Sequence, residues 1–594
     1  MTTKSTRSPR RRTVVALAVV LAVLSGFVVR LVDIQVVNAD EHIAQSMDKA
    51  LGASRMLYGT RGQIVDENGQ TLAGSILLYD CQLDPLLITQ IDTSIAAGKS
   101  EEEPWSEISG EIATITTLPV ADVQKIVADA LAEDSASRYA VLAKGVSTQQ
   151  YRALADLNVP YLVCVAHPGR TYPDGAVAGN LVGFMGTDDV ALAGLELTQD
   201  SCLQSTNGLL EFQKGKDGVI IPGTEIEDPA VDGGTLQLTI NRDLQWYLQQ
   251  LIGEQVQDMG ALSGTITVVE VATGKIRAAA EYPSVDPNNV SAAADADRKS
   301  RIFTDWFEPG STFKALTAAT VLDAGGQTPT STVIASSRET FANGARVSDA
   351  FQHPAYEYTL AGVLIDSSNA GISKFSERVA AQTRYEYMQK FGIGEGSAVD
   401  FVGEQSGLLR PASEWDNQTI YNTSYGQGIT TTVPELAGAY SAIANNGVRM
   451  PLSLVESCTA PDGTVTTPET PVGVRVVSEQ TSAQMREILE NVFTQGSLAE
   501  EVAVPGYRVA GKTGTGEKSD GNGRYKAGVY YTTMIGFAPA EAPEYVVAVT
   551  LDEPTKVTSS AANATAFQKA MTQVLKTYRV MPSTTAPTLL PKFG

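Results

Sequence analysis

The most pronounced hydrophobic pattern lies near the N-terminus, where residues 13–29 form an uncharged apolar run of about 17 residues. Residues 1–12 before it contain five lysine and arginine side chains. Arg30 could place its charge at the membrane surface and extend the helix to residue 32. We therefore predict a transmembrane helix at 13–32, with residues 1–12 in the cytoplasm and the remainder outside. A cleaved signal peptide is the alternative, but no convincing cleavage site of small residues follows.

Shorter apolar runs in the second half of the chain predict strands and helices. Runs typical of strands occur at residues 265–271, 276–280, 532–537 and 545–551. Runs typical of helices occur at residues 311–324 and 561–578. The first of these helices follows the breakers Pro309 and Gly310, and it is followed by Gly325 and Gly326. The order of strands, helices and strands is typical of a sheet covered by helices on both sides.

Turn-rich and polar stretches divide the chain into parts. Residues 33–55 are typical of a juxtamembrane helix or linker, and Asp-Gly-Gly at 232–234 marks a boundary before the second half. The C-terminal residues are rich in threonine and proline, a composition typical of disorder. The predicted parts are a cytoplasmic tail at residues 1–12, a transmembrane helix at 13–32, a mixed module at 33–235 that we call the pedestal, a larger domain at 236–580 and a disordered tail at 581–594.

Composition argues against several classes of function. The chain has 594 residues, 43% of them hydrophobic, which is enough for two or three domains with cores. The net charge of −23 repels phosphate backbones, so we expect no nucleic acid binding. The three histidines leave little material for a histidine metal site or a Ser-His-Asp triad. We expect no cofactor, and the scarcity of histidine favours lysine as a catalytic base.

The four cysteines are scattered along the chain and show no C-x-x-C spacing. They are Cys81, Cys164, Cys202 and Cys458. Disulfides among them are possible outside the cytoplasm, but the sequence does not assign the pairs. Buried free thiols are the favoured interpretation.

A hydroxyl and an amine lie one helical turn apart at Ser311 and Lys314, at the start of the predicted helix. Residues three apart share a helix face, so the two groups can meet. For Lys314 to accept a proton near neutral pH, its pKa must fall by roughly three units from about 10.4, which costs about 4 kcal/mol and requires burial or a cationic neighbour. The pattern alone is weak, because Ser46 and Lys49 have the same spacing. It predicts a serine nucleophile with a lysine base only in a suitable context.

Two further motifs supply that context. The motif Ser-Ser-Asn at 367–369 is predicted to be a loop between helices that offers a hydroxyl and an amide to a substrate. The motif Lys-Thr-Gly-Thr at 512–515 is predicted to lie in a strand whose glycines let another backbone approach closely. Ser-x-Asn also occurs at 205–207, where we predict a polar turn, but Lys-Thr-Gly occurs once. Together and in this order, the three motifs are typical of an active site that recognises penicillin.

The three motifs and further segments resemble the class B penicillin-binding proteins, and within them the septal FtsI type. The segment at 61–73 is similar to a family signature, with Glu67 where an arginine is usual. Further similar segments lie at residues 170–184, 194–196, 238–245 and 425–428. The resemblance implies an α+β fold, in which a transmembrane helix and an α+β pedestal precede a serine β-lactamase-like transpeptidase domain with a central antiparallel sheet flanked by helices.

The resemblance also implies a reaction, the crosslinking of peptidoglycan by a D,D-transpeptidase. Ser311 would attack the carbonyl between the last two D-alanines of a stem peptide and form an acyl-enzyme. Lys314 would take the hydroxyl proton, and Ser367 would pass a proton to the leaving amine. Asn369 would hold the substrate amide, and Lys512 would provide a positive field.

The remaining site residues implied by the resemblance bind the substrate. The hydroxyls of Thr513 and Thr515 would bind the terminal carboxylate, and Gly514 lies between them in the substrate-binding strand. Backbone N–H groups of Ser311 and Thr515 would form an oxyanion hole. The amine of a second stem peptide would then resolve the acyl-enzyme. Penicillin would acylate Ser311 and block this second step.

The resemblance implies partners in the membrane and in the cell wall. These are stem peptides ending in D-Ala-D-Ala, penicillin and other β-lactams, an FtsW-type membrane glycosyltransferase and other division proteins. We expect a single-pass membrane protein at the division septum. The alternatives are an elongation-specific transpeptidase, a hydrolase or sensor of β-lactams on the same fold, and a catalytically idle division scaffold. A bifunctional glycosyltransferase is disfavoured, since the region before residue 235 shows no matching acidic and histidine motif.

Overall fold

The computed structural model describes residues 9–33, 37, 51–186, 189–215 and 219–594. The chain divides into two compact units. The smaller unit takes its residues from 1–60 and 205–232, and the larger unit comprises 61–204 and 233–594.

Helices and strands occur in both units of the described part of the chain. The helices in chain order are α1 (Pro9–Val32), α2 (Pro85–Ala96), α3 (Trp105–Thr116), α4 (Val120–Glu133), α5 (Thr148–Asp156), α6 (Gly179–Val182), α7 (Gly194–Thr198), α8 (Asp200–Leu203), α9 (Arg242–Met259), α10 (Arg301–Thr304), α11 (Lys314–Ala324), α12 (Leu360–Ile365), α13 (Asn369–Ser376), α14 (Ala381–Lys390), α15 (Thr419–Asn422), α16 (Val433–Ala444), α17 (Glu479–Gln495) and α18 (Ala564–Thr577). The strands are β1 (Leu51–Leu57), β2 (Ile64–Val65), β3 (Thr71–Leu83), β4 (Ala140–Ser147), β5 (Leu162–Thr171), β6 (Gly208–Lys214), β7 (Ile226–Asp228), β8 (Thr235–Leu238), β9 (Ser263–Glu270), β10 (Ile276–Tyr282), β11 (Thr332–Ala335), β12 (Arg338–Thr340), β13 (Arg346–Ser348), β14 (Tyr356–Thr359), β15 (Val448–Arg449), β16 (Val455–Thr459), β17 (Val465–Thr466), β18 (Val474–Arg475), β19 (Ala510–Ser519), β20 (Tyr525–Ala538) and β21 (Tyr545–Asp552). The fold is therefore mixed α+β, as predicted.

In the smaller unit, α1 contains the apolar run that predicts a membrane span. Thr13–Val32 is the one stretch among the described residues that is helical, long and apolar enough to cross a bilayer. β1 pairs antiparallel with β6, and β6 pairs with β7. The prediction of a helix or linker at 33–55 is wrong at residues 51–55, because their partner strand lies far along the chain. Of the predicted linker and cytoplasmic tail, residues 1–8, 34–36 and 38–50 lie outside the described residues.

In the larger unit, residues 61–204 form a sheet backed by helices. β3 is the long central strand, and it pairs antiparallel with β2, β4 and β5. α3 and α4 bury side chains spaced three or four residues apart, such as Ile108 with Ile112 and Val123 with Val127, in one core. β2 also pairs with β8, and β8 pairs with β16. The sheet therefore continues into the catalytic domain.

Buried ion pairs join segments that are far apart in the sequence. Glu196 has a fully buried side chain, and it lies 2.8 Å from Arg61 Nε and 2.6 Å from Arg170 Nε. Glu67, where the resemblance would place an arginine, lies 2.5 Å from Arg277 at the start of the catalytic domain. Removing one partner of such a pair leaves a buried charge uncompensated, which is strongly destabilising. These pairs therefore join distant segments within residues 61–204 and link these residues to the catalytic domain.

The four cysteines form two disulfides. Cys81 in β3 is bonded to its cross-strand neighbour Cys164 in β5. Cys202 in α8 is bonded to Cys458 in β16. The preference for buried free thiols is therefore wrong, because folding brings together cysteines that are 83 and 256 residues apart. Each bond closes a long loop, which restricts the unfolded chain.

The catalytic domain is built on a five-stranded antiparallel sheet in the order β10-β9-β21-β20-β19. Four of these strands contain the predicted strands, with bounds shifted by a few residues. The central strands β9 and β21 are buried along almost their whole length. Helices α9 and α18 pack together against the sheet, as do α16 and α17, and the predicted closing helix is α18. β19 is the edge strand, and it carries residues 512–515.

The C-terminal residues contact the catalytic domain. The backbone N–H of Thr359 donates to Lys592 O at 3.0 Å, and the side chain of Asn491 in α17 donates to Thr588 O at 2.8 Å. The prediction of disorder at 581–594 is therefore wrong. A short segment rich in threonine and proline does not reveal in its composition the distant groups that satisfy its backbone.

Candidate active site

The predicted nucleophile lies in a tight turn at the start of α11. Gly310–Phe313 form a 3₁₀ turn that continues into α11, so the predicted helix at 311–324 is confirmed with a tighter first turn. Gly310 has a φ of 53°, and a Cβ at this position would lie 2.6 Å from Thr515 O. The left-handed backbone favours glycine here, and the close approach of β19 leaves no room for a side chain.

Lys314 meets the conditions for a base beside Ser311. Its Nζ lies 3.0 Å from Ser311 Oγ, and the side chain is fully buried. Burial holds the pKa of Lys314 well below its usual value, and the positive charge of Lys512 lowers it further, while Asp349 acts in the opposite direction. Both burial and a cationic neighbour are therefore present. The amine is suited to accept the proton of the Ser311 hydroxyl.

Ser367 lies between two buried amines. Its Oγ accepts a hydrogen bond from Lys314 Nζ at 3.1 Å and from Lys512 Nζ at 3.0 Å, and its carbonyl oxygen also accepts from Lys314 Nζ. It lies in the predicted loop between helices, which is the turn from α12 to α13. Ser367 has a φ of 57°, a strained conformation for a residue other than glycine. The surrounding residues must therefore hold this turn in place. The turn then fixes the position of the Ser367 hydroxyl.

Lys512 projects from the edge strand into the same site. Burial lowers the pKa of Lys512 to about 7, so a substantial fraction of the amine is neutral near neutral pH. A Cβ on Gly514 would lie 2.7 Å from Pro309 O and 2.8 Å from the methyl group of Thr312. The glycine of this motif therefore lets β19 lie directly against the nucleophile turn.

The threonines of the third motif and Asn369 lie at the same site. Thr513 and Thr515 are half-buried and alternate along β19 with buried residues, so they share one face of the strand. Thr515 Oγ1 accepts from Ser560 N at 3.2 Å. Asn369 begins α13, and its side-chain amide donates to Ser348 O at 2.9 Å. The contacts of Ser367 with Lys314 and Lys512 bring the three motifs together. The oxyanion hole formed by the N–H groups of Ser311 and Thr515 stays a prediction.

Asp349 supports the second motif and was not found from the sequence. One of its carboxylate oxygens accepts from Ser368 Oγ at 2.7 Å, and the other accepts from Ala370 N at 2.9 Å. His353 Nε2 lies 2.8 Å from the same carboxylate, and both side chains are almost fully buried. Ser368 in turn caps α13 through Gly371 N. No residue spacing in one sequence signals this contact.

Glu308 connects two segments at the edge of the site, and it was not identified from the sequence. Its carboxylate accepts from Gly428 N at 3.0 Å and from Tyr525 OH at 2.9 Å. Burial raises the pKa of Glu308, although these two hydrogen bonds act in the opposite direction. A Cβ on Gly426 would lie 2.2 Å from Gly310 O, so this loop also lies against the nucleophile turn. The position of Glu308 directly before Pro-Gly was the available signal.

Two family descriptions match the chain. Residues 264–572 match the transpeptidase domain of penicillin-binding proteins, and residues 56–238 match the penicillin-binding protein dimerisation domain. Among curated relatives, penicillin-binding protein PbpB of Mycolicibacterium smegmatis is 33% identical over 569 residues, which cover 92% of this chain and 87% of the relative. Peptidoglycan D,D-transpeptidase FtsI of Escherichia coli is 28% identical over 565 residues, which cover 95% of this chain and 91% of the relative.

Solved structures of similar proteins share the fold. The structure of penicillin-binding protein 3 from Mycobacterium tuberculosis, complexed with aztreonam, aligns with a TM-score of 0.69 at 27% identity and covers 90% of this chain and 99% of its own. A peptidoglycan synthetase from Bifidobacterium adolescentis aligns with a TM-score of 0.71 at 27% identity and covers 92% of this chain and 100% of its own. The transpeptidase match alone takes in more than half of the chain and contains all three motifs, with the dimerisation match ahead of it. This chain therefore belongs to the class B penicillin-binding proteins.

Proposed function

We propose that the chain is a peptidoglycan D,D-transpeptidase that crosslinks stem peptides through an acyl-enzyme on Ser311. The observation that carries this proposal is the buried Lys314 amine, 3.0 Å from Ser311 Oγ and with a lowered pKa. The name of a relative supports it, since the one from E. coli is called peptidoglycan D,D-transpeptidase FtsI. A serine-type acyltransferase follows from the same pair of residues.

Acylation uses the hydroxyls of Ser311 and Ser367 and the amine of Lys314 in turn. Ser311 Oγ attacks the carbonyl between the last two D-alanines while neutral Lys314 takes its proton. The C–N bond then breaks, and the leaving D-alanine amine receives a proton from Ser367 Oγ. Lys314 returns its proton to Ser367 across 3.1 Å. The products are free D-alanine and an ester on Ser311, and the lysine is neutral again.

The other motif residues hold the substrate. The charged form of Lys512 attracts the terminal carboxylate, whose oxygens accept from the hydroxyls of Thr513 and Thr515. Asn369 holds the amide of the stem peptide. The N–H groups of Ser311 and Thr515 stabilise the oxyanion, and one such donor is typically worth about 3 kcal/mol in an acyl-transfer site.

The second half of the reaction distinguishes a peptide from penicillin. After D-alanine leaves, the amine of a second stem peptide attacks the ester on Ser311, and a crosslink forms. When penicillin acylates Ser311, the opened lactam nitrogen stays attached to the acyl group and occupies the place of the incoming amine. β-Lactams therefore act as lasting inhibitors.

The direct test is crosslink formation by the full chain in detergent micelles. With glycan strands that carry pentapeptide stems, we expect D-alanine release and crosslinked muropeptides in equal amounts, since each acyl transfer releases one D-alanine. Liquid chromatography with mass spectrometry measures both products. Ser311→Ala should produce neither. D-alanine release by the wild type without crosslinks would show that water, not a second stem, accepts the acyl group.

Lys512→Ala should move the acid limb of the pH profile for penicillin acylation to higher pH. The positive charge of Lys512 is one cause of the lowered pKa of Lys314, so its removal raises that pKa. Lys314 must be neutral to accept a proton, and the higher pKa makes it neutral only at higher pH. Stopped-flow acylation rates across a pH series measure the limb, with Lys512→Arg as the charge-retaining control. A limb that stays in place or moves to lower pH would refute the coupling between the two lysines.

Membrane and division roles complete the proposal. α1 fits a single-pass anchor, and we place residues 1–12 in the cytoplasm, the pedestal at 33–235 and the catalytic domain from 236 onward outside.

We also propose an FtsW-type glycosyltransferase and other division proteins as partners, because relatives of this type are named FtsI. A fluorescent fusion should gather at midcell. A signal spread along the sidewall would favour an elongation enzyme instead.

A further inference from the structure

We propose that residues 588–594, which we call the C-terminal strap, position the second motif of the active site. The strap holds the strained turn at Ser367 through the ion pair between Lys592 and Asp366. The inference rests on the proposed function only in that acylation is its readout. It adds to the site a segment that lies more than 70 residues after the third motif.

One end of the strap is fixed to α17. Asn491 Nδ2 donates to Thr588 O at 2.8 Å, and Asn491 Oδ1 accepts from Leu590 N at 2.9 Å. Gln495, one helical turn further on, donates to Leu590 O at 2.9 Å. Two side chains of one helix thus satisfy three backbone groups of the strap. This part of the strap is anchored before it reaches the active-site turn.

The other end lies along β14 and the start of α12. Thr359 donates to Lys592 O through its backbone N–H at 3.0 Å, and Gly594 N donates to Glu357 O at 2.9 Å. A Cβ on Gly362 in α12 would lie 1.9 Å from Lys592 O. Glycine in the first turn of α12 therefore allows the strap backbone to lie directly on the helix that leads to Ser367.

Charge links the strap to the turn itself. Lys592 Nζ lies 2.8 Å from Asp366 Oδ1, and both side chains are mostly buried. Tyr358 OH donates to the other oxygen of Asp366 at 3.3 Å, and the ring of Phe593 packs against Tyr358. Asp366 is the residue directly before Ser367. The strap thus restrains the carboxylate next to the strained residue from two sides.

The geometry at Ser367 explains why this restraint bears on catalysis. Its Oγ has to stay within hydrogen-bonding distance of two amines, yet its left-handed backbone persists only where the surroundings hold it. Loss of the Lys592 contact leaves the charge of Asp366 without its cation beside this turn. Relaxation of the turn would carry the Ser367 hydroxyl away from Lys314 and slow proton transfer. Lys592 is therefore a positioning residue rather than a catalytic one.

The test compares Lys592 variants in the full chain in detergent micelles. Lys592→Gln should lower the first-order acylation step with penicillin by about fivefold, with little change in the preceding binding equilibrium. Lys592→Arg should restore most of the rate, because it keeps the charge. Lys569→Gln, at an exposed lysine of α18, is the matched control and should acylate at the wild-type rate. Hydrogen exchange at residues 366–370 should become faster in Lys592→Gln alone.

A second variant removes the backbone contacts of the strap together with the ion pair. Deletion of residues 590–594 should slow acylation more than Lys592→Gln does. The inference is overturned if Lys592→Gln acylates within about twofold of the wild type and exchange at 366–370 is unchanged, whatever the deletion does. It is also overturned if the loss of rate tracks a lower thermal midpoint and Lys592→Arg does not restore it. A wild type that penicillin does not acylate would contradict the proposed function instead.

Discussion

Ser311→Ala should abolish covalent labelling of the chain by penicillin. The acyl bond forms to Ser311 Oγ, and removing the nucleophile should slow adduct formation by at least about a thousandfold. The fold should persist, because the turn is held by the contacts of Gly310 and of buried neighbours rather than by this half-buried hydroxyl. Intact-protein mass spectrometry after incubation with penicillin measures the adduct.

The matched control for this variant is the other serine with a lysine three residues later. Ser46→Ala should label like the wild type, although Ser46 and Lys49 have the same spacing as Ser311 and Lys314. A circular dichroism spectrum and a thermal midpoint like those of the wild type show that Ser311→Ala is folded. Undiminished labelling of folded Ser311→Ala would show that another residue is the nucleophile.

Lys314→Met should leave penicillin acylation slower by about a thousandfold while the chain stays folded. General-base catalysis typically contributes between about 10² and 10⁴ in rate, and Lys314 is the buried amine next to the nucleophile. Methionine keeps an unbranched apolar side chain at this fully buried position. Single-turnover acylation rates at saturating penicillin measure the loss. A rate within about tenfold of the wild type would assign the base to another group.

The same variant should change how stability depends on pH. Burial lowers the pKa of Lys314 in the folded chain, so the unfolded chain binds more protons near neutral pH. Lys314 therefore makes the free energy of unfolding rise with pH, up to the pKa of about 10.4 that lysine has in the unfolded chain. Lys314→Met lacks this contribution. Urea unfolding at a series of pH values measures this effect. The free energy of unfolding of the wild type, minus that of the variant, should increase as the pH rises. The opposite trend would mean that the lysine is charged in the folded site.

Local patterns predicted the elements that carry the chemistry. The apolar runs gave four strands of the catalytic sheet, and the breakers around residues 309–326 marked the helix of the nucleophile. The three motifs are local signals as well, since each combines a few neighbouring residues with characteristic chemistry. The structure brings them together around Ser367, with Lys314 on one side and Lys512 on the other.

The features that sequence reasoning missed all depend on long-range contacts. The partners of Cys81 and Cys202 lie 83 and 256 residues away, so spacing cannot pair them. Asp349 supports the second motif across 19 residues, and its importance follows from burial that only the fold creates. The C-terminal strap has the composition of a disordered tail, but α17 and β14 supply partners for its backbone. In the strap, tertiary contacts determine an ordered structure that the composition alone does not predict.

The acyl-enzyme itself provides the most direct test of the central claim. The wild-type chain is mixed with penicillin, the excess is removed, and the adduct is followed by intact mass and by peptide mapping. The account predicts one penicilloyl group, located on Ser311, that persists long after the free penicillin has gone. An adduct on another residue, or one that water removes within seconds, would contradict a transpeptidase that acts through Ser311.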